Sequence, residues 1–236
     1  MKRSTEKSIS ILKRTASEVI KYRVRMKVLS ILLVLLTTFT GVVYVASALY
    51  EQSGSFTISV NRTDMTKYGL SLSESKDMLR PTSNLNAKIA EKMTNIAGET
   101  IDANVDNIDG THNGRDYIAY TFYVKNTGEI EVAYDYEIKL SGVTNGLDEA
   151  IRLRLYVDGG DPVDYAKTKS DGTGAEPGTT EFRSATTIVL DRRDAFQPGE
   201  QTKFTVVVWI EGNDPDCVDY LIGGKLKLDM QISVEQ

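Results

Sequence analysis

The chain has 236 residues and a formal net charge of -5, and this length accommodates one sizeable domain with appendages. The charge is divided unevenly: residues 1–27 contain nine Lys or Arg and two Glu, net +7, whereas residues 28–236 contain 19 basic and 31 acidic residues, net -12. This balance argues against nucleic-acid binding by the acidic part, because phosphate recognition requires patches of Lys and Arg. The single cysteine, Cys217, excludes an intramolecular disulfide, so the fold depends on its own hydrophobic core.

The segment from residue 28 to residue 50 contains no charged residue. Its 23 residues exceed the ~20 that cross the hydrocarbon core of a membrane as a helix. Lipid offers no hydrogen-bond partners to the backbone, so a single span has to be helical. The excess of Lys and Arg in residues 1–27 predicts a cytoplasmic N-terminal tail and an extracellular C-terminal domain. The membrane is therefore the first expected partner.

The end of this segment contains Ala46-Ser47-Ala48, the small-x-small pattern of a signal peptidase site. Cleavage after Ala48 would yield a secreted protein, whereas retention leaves a single-pass anchor. The apolar run is longer than the usual signal core of ~7–15 residues. We therefore expect an anchor in the cell membrane, with secretion as the alternative.

Residues 51–236 are expected to form an all-β domain, an antiparallel β-sandwich of the jelly-roll type. Period-two alternation and enrichment in β-branched and aromatic residues mark its strands. The predicted strands are Ser55–Val60, Tyr117–Lys125, Glu131–Leu140, Ile151–Val157, Ala185–Leu190, Lys203–Glu211 and Gly224–Val234. The short polar sequence Asn126-Thr127-Gly128 predicts a hairpin, and the apolar run Thr205–Ile210 predicts the central strand.

Residues 64–100 are more polar than the rest of the domain, and the pattern predicts an insertion with one short helix. Ser83 is a suitable N-cap and Gly98 a suitable terminator. Apolar residues recur between them at helical spacing: Leu85, Ile89, Met93 and Ile96.

The only histidine, His112, lies in a loop of Asn, Gly and Asp residues. Nucleophilic catalysis with histidine, or a zinc site, would have to use it, but no nucleophile motif or cluster of His and Cys lies nearby. The sequence therefore predicts a solvated loop histidine, no catalytic residues and no enzymatic activity.

The same loop offers oxygen ligands of the type that calcium prefers, at Asp106, Asp109, Asn113 and Asp116. Their spacing does not follow the calcium-loop pattern D-x-[DN]-x-[DN]-G. The alternative is that these residues form turns, because Asn and Asp hydrogen-bond their own backbone in loops. Calcium is the one cofactor that the sequence leaves open.

The most distinctive local pattern is W-I-E-G-N-D-P-D-C, followed by a glycine pair and a final alternating strand. It predicts a strand, an acidic turn, a break and a second strand, with Trp209 as a core anchor. Cys217 is expected to be a small buried apolar residue, with an intermolecular disulfide as the alternative. The pattern comprises Trp209, Glu211, Asp214, Pro215, Asp216, Cys217, Gly223 and Gly224.

The sequence resembles the TasA/camelysin-like surface proteins of Gram-positive bacteria, which carry a SipW-type signal peptide. The resemblance rests on this pattern, on the apolar segment ending in Ala46-Ser47-Ala48 and on the early strand Ser55–Val60. The resemblance implies a jelly-roll domain, export, and assembly into matrix fibres by exchange of an N-terminal strand. Two features depart from the group, namely the long basic tail and the polar stretch 64–100. Some relatives are labelled metallo-endopeptidases, but this chain lacks the zinc ligands which that label requires.

The leading hypothesis is therefore a non-enzymatic structural or interaction protein of the cell surface, membrane-tethered or exported, with self-association or other surface proteins as partners. A calcium-stabilised adhesin or carbohydrate-binding module is the alternative, and a surface hydrolase comes third. A type IV pilin is disfavoured, because it predicts a short leader and a Glu near the start of its apolar helix.

Overall fold

The computed structural model describes residues 2–52, 54–88 and 92–234. The chain divides into two compact units, Met1–Glu51 and Gln52–Gln236. The first is helix α1, Lys2–Gln52. It contains the stretch Ser17–Val45, which is apolar and long enough either to cross a membrane or to act as a signal sequence. Hydroxyl groups in this stretch donate hydrogen bonds to backbone carbonyls three or four residues earlier, so they are satisfied without water: Ser30, Thr37, Thr38 and Thr40.

The second unit is built mainly of strands and includes one short helix, α2, Arg62–Tyr68. The strands are β1 Ser55–Val60, β2 Leu70–Ser73, β3 Asn84–Lys88, β4 Gly110–Thr111, β5 Tyr117–Asn126, β6 Val132–Val143, β7 Ile151–Val157, β8 Val163–Ala166, β9 Thr180–Glu181, β10 Thr187–Phe196, β11 Gln201–Ile210 and β12 Leu226–Val234. All seven predicted strands are confirmed, with shifts of a few residues at some ends.

The strands form two sheets. One has the order β10-β6-β12-β1-β3, and the other has the order β2-β5-β11-β7-β8-β9 with β4 beside β5. β1 runs parallel to β12, and β8 runs parallel to β9. Both sheets are therefore mixed, and the expectation of a purely antiparallel fold is wrong. Parallel neighbours need a long connection, and almost the whole domain lies between β1 and β12.

Apolar side chains from both sheets share one core. Phe56 of β1 meets Tyr120 of β5 with ring centroids 6.2 Å apart, and Tyr136 of β6 meets Phe204 of β11 at 5.0 Å. Both pairs are edge-to-face contacts, which aromatic quadrupoles favour. The two sheets thus pack against each other through edge-to-face aromatic contacts.

Strand β11 lies between β5 and β7, as its continuous apolar run predicted. Val206 and Val208 point into the main core, whereas Val207 and Trp209 belong to a second apolar cluster on the other face. A strand buried on both faces does not need to alternate apolar with polar residues. The second cluster forms because residues from the segment that follows β3, such as Val105, cover the outer face of the seven-stranded sheet.

The predicted hairpin at Asn126-Thr127-Gly128 is wrong, because β5 and β6 belong to different sheets. The buried side chain of Asn126 donates to the carbonyl oxygens of Ile130 and Phe196, at 2.9 Å each, and fixes the crossing from one sheet to the other. A turn sequence indicates that the chain changes direction. It does not specify which strands pair.

The helix predicted between Ser83 and Gly98 is wrong at its start, because Asn84–Lys88 form strand β3. β2 and β3 lie inside residues 64–100 and are integral strands of the two sheets. Within β3, Leu85 and Ala87 are buried and alternate with the exposed Asn84 and Asn86, so the period is two. Ile89, the second residue of the predicted helical pattern, lies outside the described residues.

Candidate functional site

The connection from β11 to β12 carries the W-I-E-G-N-D-P-D-C pattern and the glycine pair. It leaves the seven-stranded sheet after Ile210 and enters the five-stranded sheet at Leu226. Gly223 has φ +77°, in the left-handed region that favours glycine. A Cβ atom on Gly224 would lie 2.8 Å from the carbonyl oxygen of Leu221. Both glycines are therefore required by the backbone, as the predicted break implies.

Trp209 is the core anchor that the sequence predicted, with 2% of its surface exposed. Its Nε1 donates to Oε2 of Glu211 at 2.9 Å, and the same oxygen accepts from the backbone N–H of Gly98 at 3.0 Å. Oε1 of Glu211 accepts from the N–H of Asn213 at 3.1 Å. Glu211 thus ties the indole, the segment after β3 and the acidic turn together.

The acidic turn is closed by a hydrogen bond from the N–H of Cys217 to the carbonyl oxygen of Asp214, 3.0 Å. Pro215 follows the first residue of this turn, where its fixed φ favours the reversal. Asp216 accepts from the Ser170 hydroxyl at 2.7 Å. Cys217 packs against the main core and accepts from Nδ2 of Asn95 at 3.4 Å, but it is half-buried and not the fully buried residue that the sequence predicted.

Beside this turn lies an arginine that is 4% exposed, Arg152 of β7. Its Nη2 lies 2.6 Å from Oδ2 of Asp214 and 3.8 Å from Oε2 of Glu176, and both carboxylates are buried. The oxygen of Asp214 accepts no hydrogen bond of good geometry despite the short distance, so this contact acts as an ion pair. The guanidinium compensates charges that would be costly to bury alone.

These residues line a cleft of about 330 Å³, a volume at the lower end for small-molecule sites. Arg154 closes one wall: it makes two hydrogen bonds to Asp164, at 2.6 and 2.8 Å, and lies 5.2 Å from the Trp209 ring centre. The hydrogen bonding to Asp164 raises the pKa of Arg154 above its usual value. The whole lining has five carboxylates and two arginines, a formal net charge of -3.

The lining contains no His, Cys, Ser, Lys or Tyr, and its one hydroxyl side chain is that of Thr179. Most of its carboxylates already have partners, since Asp164 is held by Arg154, Asp214 by Arg152 and Glu211 by three N–H groups. The arrangement is suited to holding loops together and to presenting negative charge.

Among the described residues, one trio of His, Cys, Asp or Glu brings its ligand atoms within 4.8 Å of one another, namely Glu176, Asp214 and Asp216. Two of its members face Arg152, which supplies the positive charge that a cation would bring. Calcium takes six to eight oxygen ligands, and the three carboxylates of this trio offer at most six.

The calcium residues proposed from the sequence lie elsewhere and are occupied by protein donors. Asp106 forms an ion pair with Lys203 at 2.9 Å. Its Oδ1 is buried without a hydrogen-bond donor among the described residues. Asp109 accepts from the Tyr123 hydroxyl at 2.5 Å.

The other two members of that set accept hydrogen bonds from backbone N–H groups. Oδ1 of Asn113 accepts from the N–H of Ala119 at 3.0 Å, and Oδ1 of Asp116 accepts from the N–H and hydroxyl of Thr94 at 3.0 and 2.7 Å. Hydrogen bonding from Thr94 lowers the pKa of Asp116. The three carboxylates, Asp106, Asp109 and Asp116, do not form a metal-ligand trio among the described residues. All four residues contact side chains or backbone outside their own turns: Lys203, Tyr123, Ala119 and Thr94.

His112 is not the solvated loop residue that the sequence predicted. It is half-buried, its Nδ1 lies 2.8 Å from the carbonyl oxygen of Gly110, and its Nε2 lies 2.8 Å from that of Val105. The ring therefore bridges the segment after β3 and strand β4. Its partners are backbone carbonyls, as in a structural histidine.

Sequence reasoning missed Arg152 and Glu176. The available signal was weak: Arg152 and Arg154 alternate with Ile151, Leu153 and Leu155 along β7, which predicts an outward-facing arginine pair. Burial of Arg152 results from loops distant in sequence that cover this face. No protein-family model and no curated protein matches the chain.

Proposed function

We propose that this chain is a non-enzymatic structural or interaction protein of the bacterial cell surface, held in the membrane by its N-terminal helix and presenting a jelly-roll β-sandwich outside the cell. The TasA/camelysin-like surface proteins are the group that its sequence patterns resemble.

The observation that carries this proposal is the distribution of charge around the apolar helix. Nine Lys or Arg residues precede an uncharged stretch of 23 residues, and the β-rich part after it is strongly acidic. Cytoplasmic flanks are enriched in Lys and Arg, which supports a tail inside the cell and a domain outside it. Helix α1 continues past Ala48 to Gln52 without interruption, which favours an anchor over a cleaved signal.

The character of the cleft supports a role without catalysis. Its charged side chains are mostly paired with one another, and Trp209 is too deeply buried to stack on a sugar ring. A carbohydrate-binding module would present exposed aromatic faces there. Neither the hydrolase nor the calcium-dependent alternative is favoured by a specific contact.

A second candidate, a fibre subunit, is supported by the position of β1. This strand follows the helix directly, lies inside the sheet between β12 and β3, and buries Phe56, Ile58 and Val60. Cleavage after Ala48 would leave β1 close to a free N-terminus. If β1 then left its own sheet, the same strand of a second copy could take its place, since an added strand satisfies open sheet hydrogen bonds.

The test is labelling with a membrane-impermeant maleimide in intact cells. The reporter is Leu79→Cys in a Cys217→Ser background, because Leu79 is 75% exposed. Ser10→Cys in the same background is the matched cytoplasmic control. The proposal predicts that the first variant is labelled in intact cells and that the second is labelled only after permeabilisation. The reverse pattern would overturn it.

A further inference from the structure

The loop between β11 and β12 ends in an exposed apolar tip formed by Val218, Tyr220 and Ile222. Their exposed fractions are 54, 73 and 75%, whereas Leu221, between two of them, is buried in the main core. Three large apolar side chains within five residues is unusual for a loop, because exposed apolar residues are normally scattered singly.

The apolar tip is held in place by hydrogen bonds. The N–H of Leu221 donates to the Val218 carbonyl at 3.0 Å, the N–H of Ile222 donates to the Asp219 carbonyl at 3.1 Å, and Nδ2 of Asn145 donates to the Ile222 carbonyl at 3.0 Å. A surface that is ordered before binding loses little conformational entropy when it binds. The backbone of the tip therefore holds its three apolar side chains in fixed, solvent-exposed positions.

The topology places the apolar tip at the end of the domain where the chain enters. β1 and β12 run parallel, with Phe56 opposite Leu228, so both strands begin at the same end of the sheet. The tip immediately precedes β12, and β1 begins three positions after Gln52, the last residue of α1. The end bearing the tip is thus the end that is covalently closest to the apolar segment.

We propose that the apolar tip inserts into the interfacial layer of the lipid bilayer that holds the chain, and that it fixes the orientation of the domain on the membrane. This inference rests on the proposed function, because it needs the helix to stay in the membrane. Tyr is favoured at the boundary between lipid and water, and Val and Ile gain from leaving water. Attachment to the same membrane turns a weak contact into an intramolecular one with a high effective concentration.

The charge of the tip indicates the kind of lipid contact. Asp219 is the only charged residue between Val218 and Ile222, so attraction to anionic headgroups has no source within it. The contact is apolar, and it should form on zwitterionic as well as anionic membranes. A second copy of the chain is the competing occupant, which the test separates from lipid by varying protein density.

The experiment uses the full chain in phosphatidylcholine vesicles, with an environment-sensitive fluorophore on Ile222→Cys in a Cys217→Ser background. Ile130→Cys, labelled in the same way, is the matched control. Ile130 is 54% exposed and lies just before Val132, at the far end of β6, whose other end, Val143, pairs with Leu226. Strand geometry of about 3.3 Å per residue separates the two ends of β6 by roughly 35 Å. Quenchers on the upper acyl chain report insertion about 5–10 Å into the membrane boundary.

The proposal predicts a blue-shifted emission and strong lipid quenching for the label at position 222. Both effects should stay the same when the protein is diluted in the membrane. The label at position 130 should show neither the blue shift nor the quenching. Adding Val218→Ser and Tyr220→Ser should return the label at position 222 to water, whereas adding Leu79→Ser should not. Equal exposure of both labels to water would overturn the proposal, as would a blue shift that disappears on dilution. Loss of the whole chain from the floated vesicles would instead contradict the membrane anchor itself.

Discussion

Nε1 of Trp209 donates a hydrogen bond to Oε2 of Glu211 over 2.9 Å, and this oxygen also accepts the N–H of Gly98. The pair connects a buried strand end to the segment that covers the outer face of the seven-stranded sheet. Because Trp209 and Glu211 are two residues apart, they lie on the same side of the chain. The W-I-E pattern therefore has a structural cause.

Replacing this acceptor should destabilise the domain. Glu211→Ala leaves the donors of Trp209 and Gly98 without a partner, and each orphaned donor costs about 1–3 kcal/mol. We expect the free energy of unfolding, measured with urea, to fall by about 2–6 kcal/mol. The matched control, Glu211→Gln, keeps a carbonyl oxygen and should lose much less. Equal losses in the two variants would contradict the assigned role.

The ion pair of Arg152 and Asp214 should behave as one unit. Arg152→Met leaves the Asp214 and Glu176 carboxylates buried without compensation, and breaking a buried pair typically costs about 3–5 kcal/mol. Combining Arg152→Met with Asp214→Asn should cost less than the sum of the single changes, because the second change removes one of the uncompensated charges. A double-mutant cycle by denaturant unfolding measures this coupling. Additive losses would show that the two side chains do not interact.

The crossing between the sheets depends on close backbone contact at Gly128. A Cβ atom there would lie 2.3 Å from the carbonyl oxygen of Tyr68, so Gly128→Ala should force a backbone shift costing about 1–3 kcal/mol. Gly142→Ala is the control, since its Cβ would meet only the Lys227 side chain at 3.4 Å. Thermal unfolding should separate the two variants clearly. A Gly128→Ala protein as stable as Gly142→Ala would rule out the tight crossing.

Several tyrosines should resist ionisation at high pH. Burial, followed by hydrogen bonding to a carboxylate, raises the pKa of Tyr120, Tyr123 and Tyr136. Unfolded tyrosine loses its proton near pH 10, so the unfolded state releases these protons first. The resulting contribution to stability is complete below about pH 10 and is lost progressively as the pH rises from that value through the raised pKa of the folded state. Absorbance of tyrosinate should therefore show these groups titrating together with alkaline unfolding. Independent titration near pH 10, with the fold intact, would contradict their burial.

The strands of this domain could be predicted because burial imprints a local pattern. β6 alternates between buried and half-exposed residues along most of its length, and β7 was placed at Ile151–Val157 without error. β2 could not be found in this way, because it has four residues and all are buried. Strand pairing also lies beyond local patterns, so the sequence after Asn126 predicts a hairpin that the two sheets do not contain.

The candidate site was predictable only in part. Trp209, Asp214 and the glycine pair stand in one short pattern, and their structural roles follow from residue type and order. Glu176 joins Arg152 across 24 positions in sequence, through a loop that covers the outer face of β7. Such a contact is fixed by tertiary packing, so no local pattern reveals it.

The membrane attachment is tested most directly by the intact mass of the mature protein, taken separately from the membrane and from the medium of the producing cells. We predict a membrane-bound species that still carries residues 1–48 and no comparable species in the medium. A released protein that begins at Leu49 would contradict the anchor and would make the fibre subunit the function to pursue.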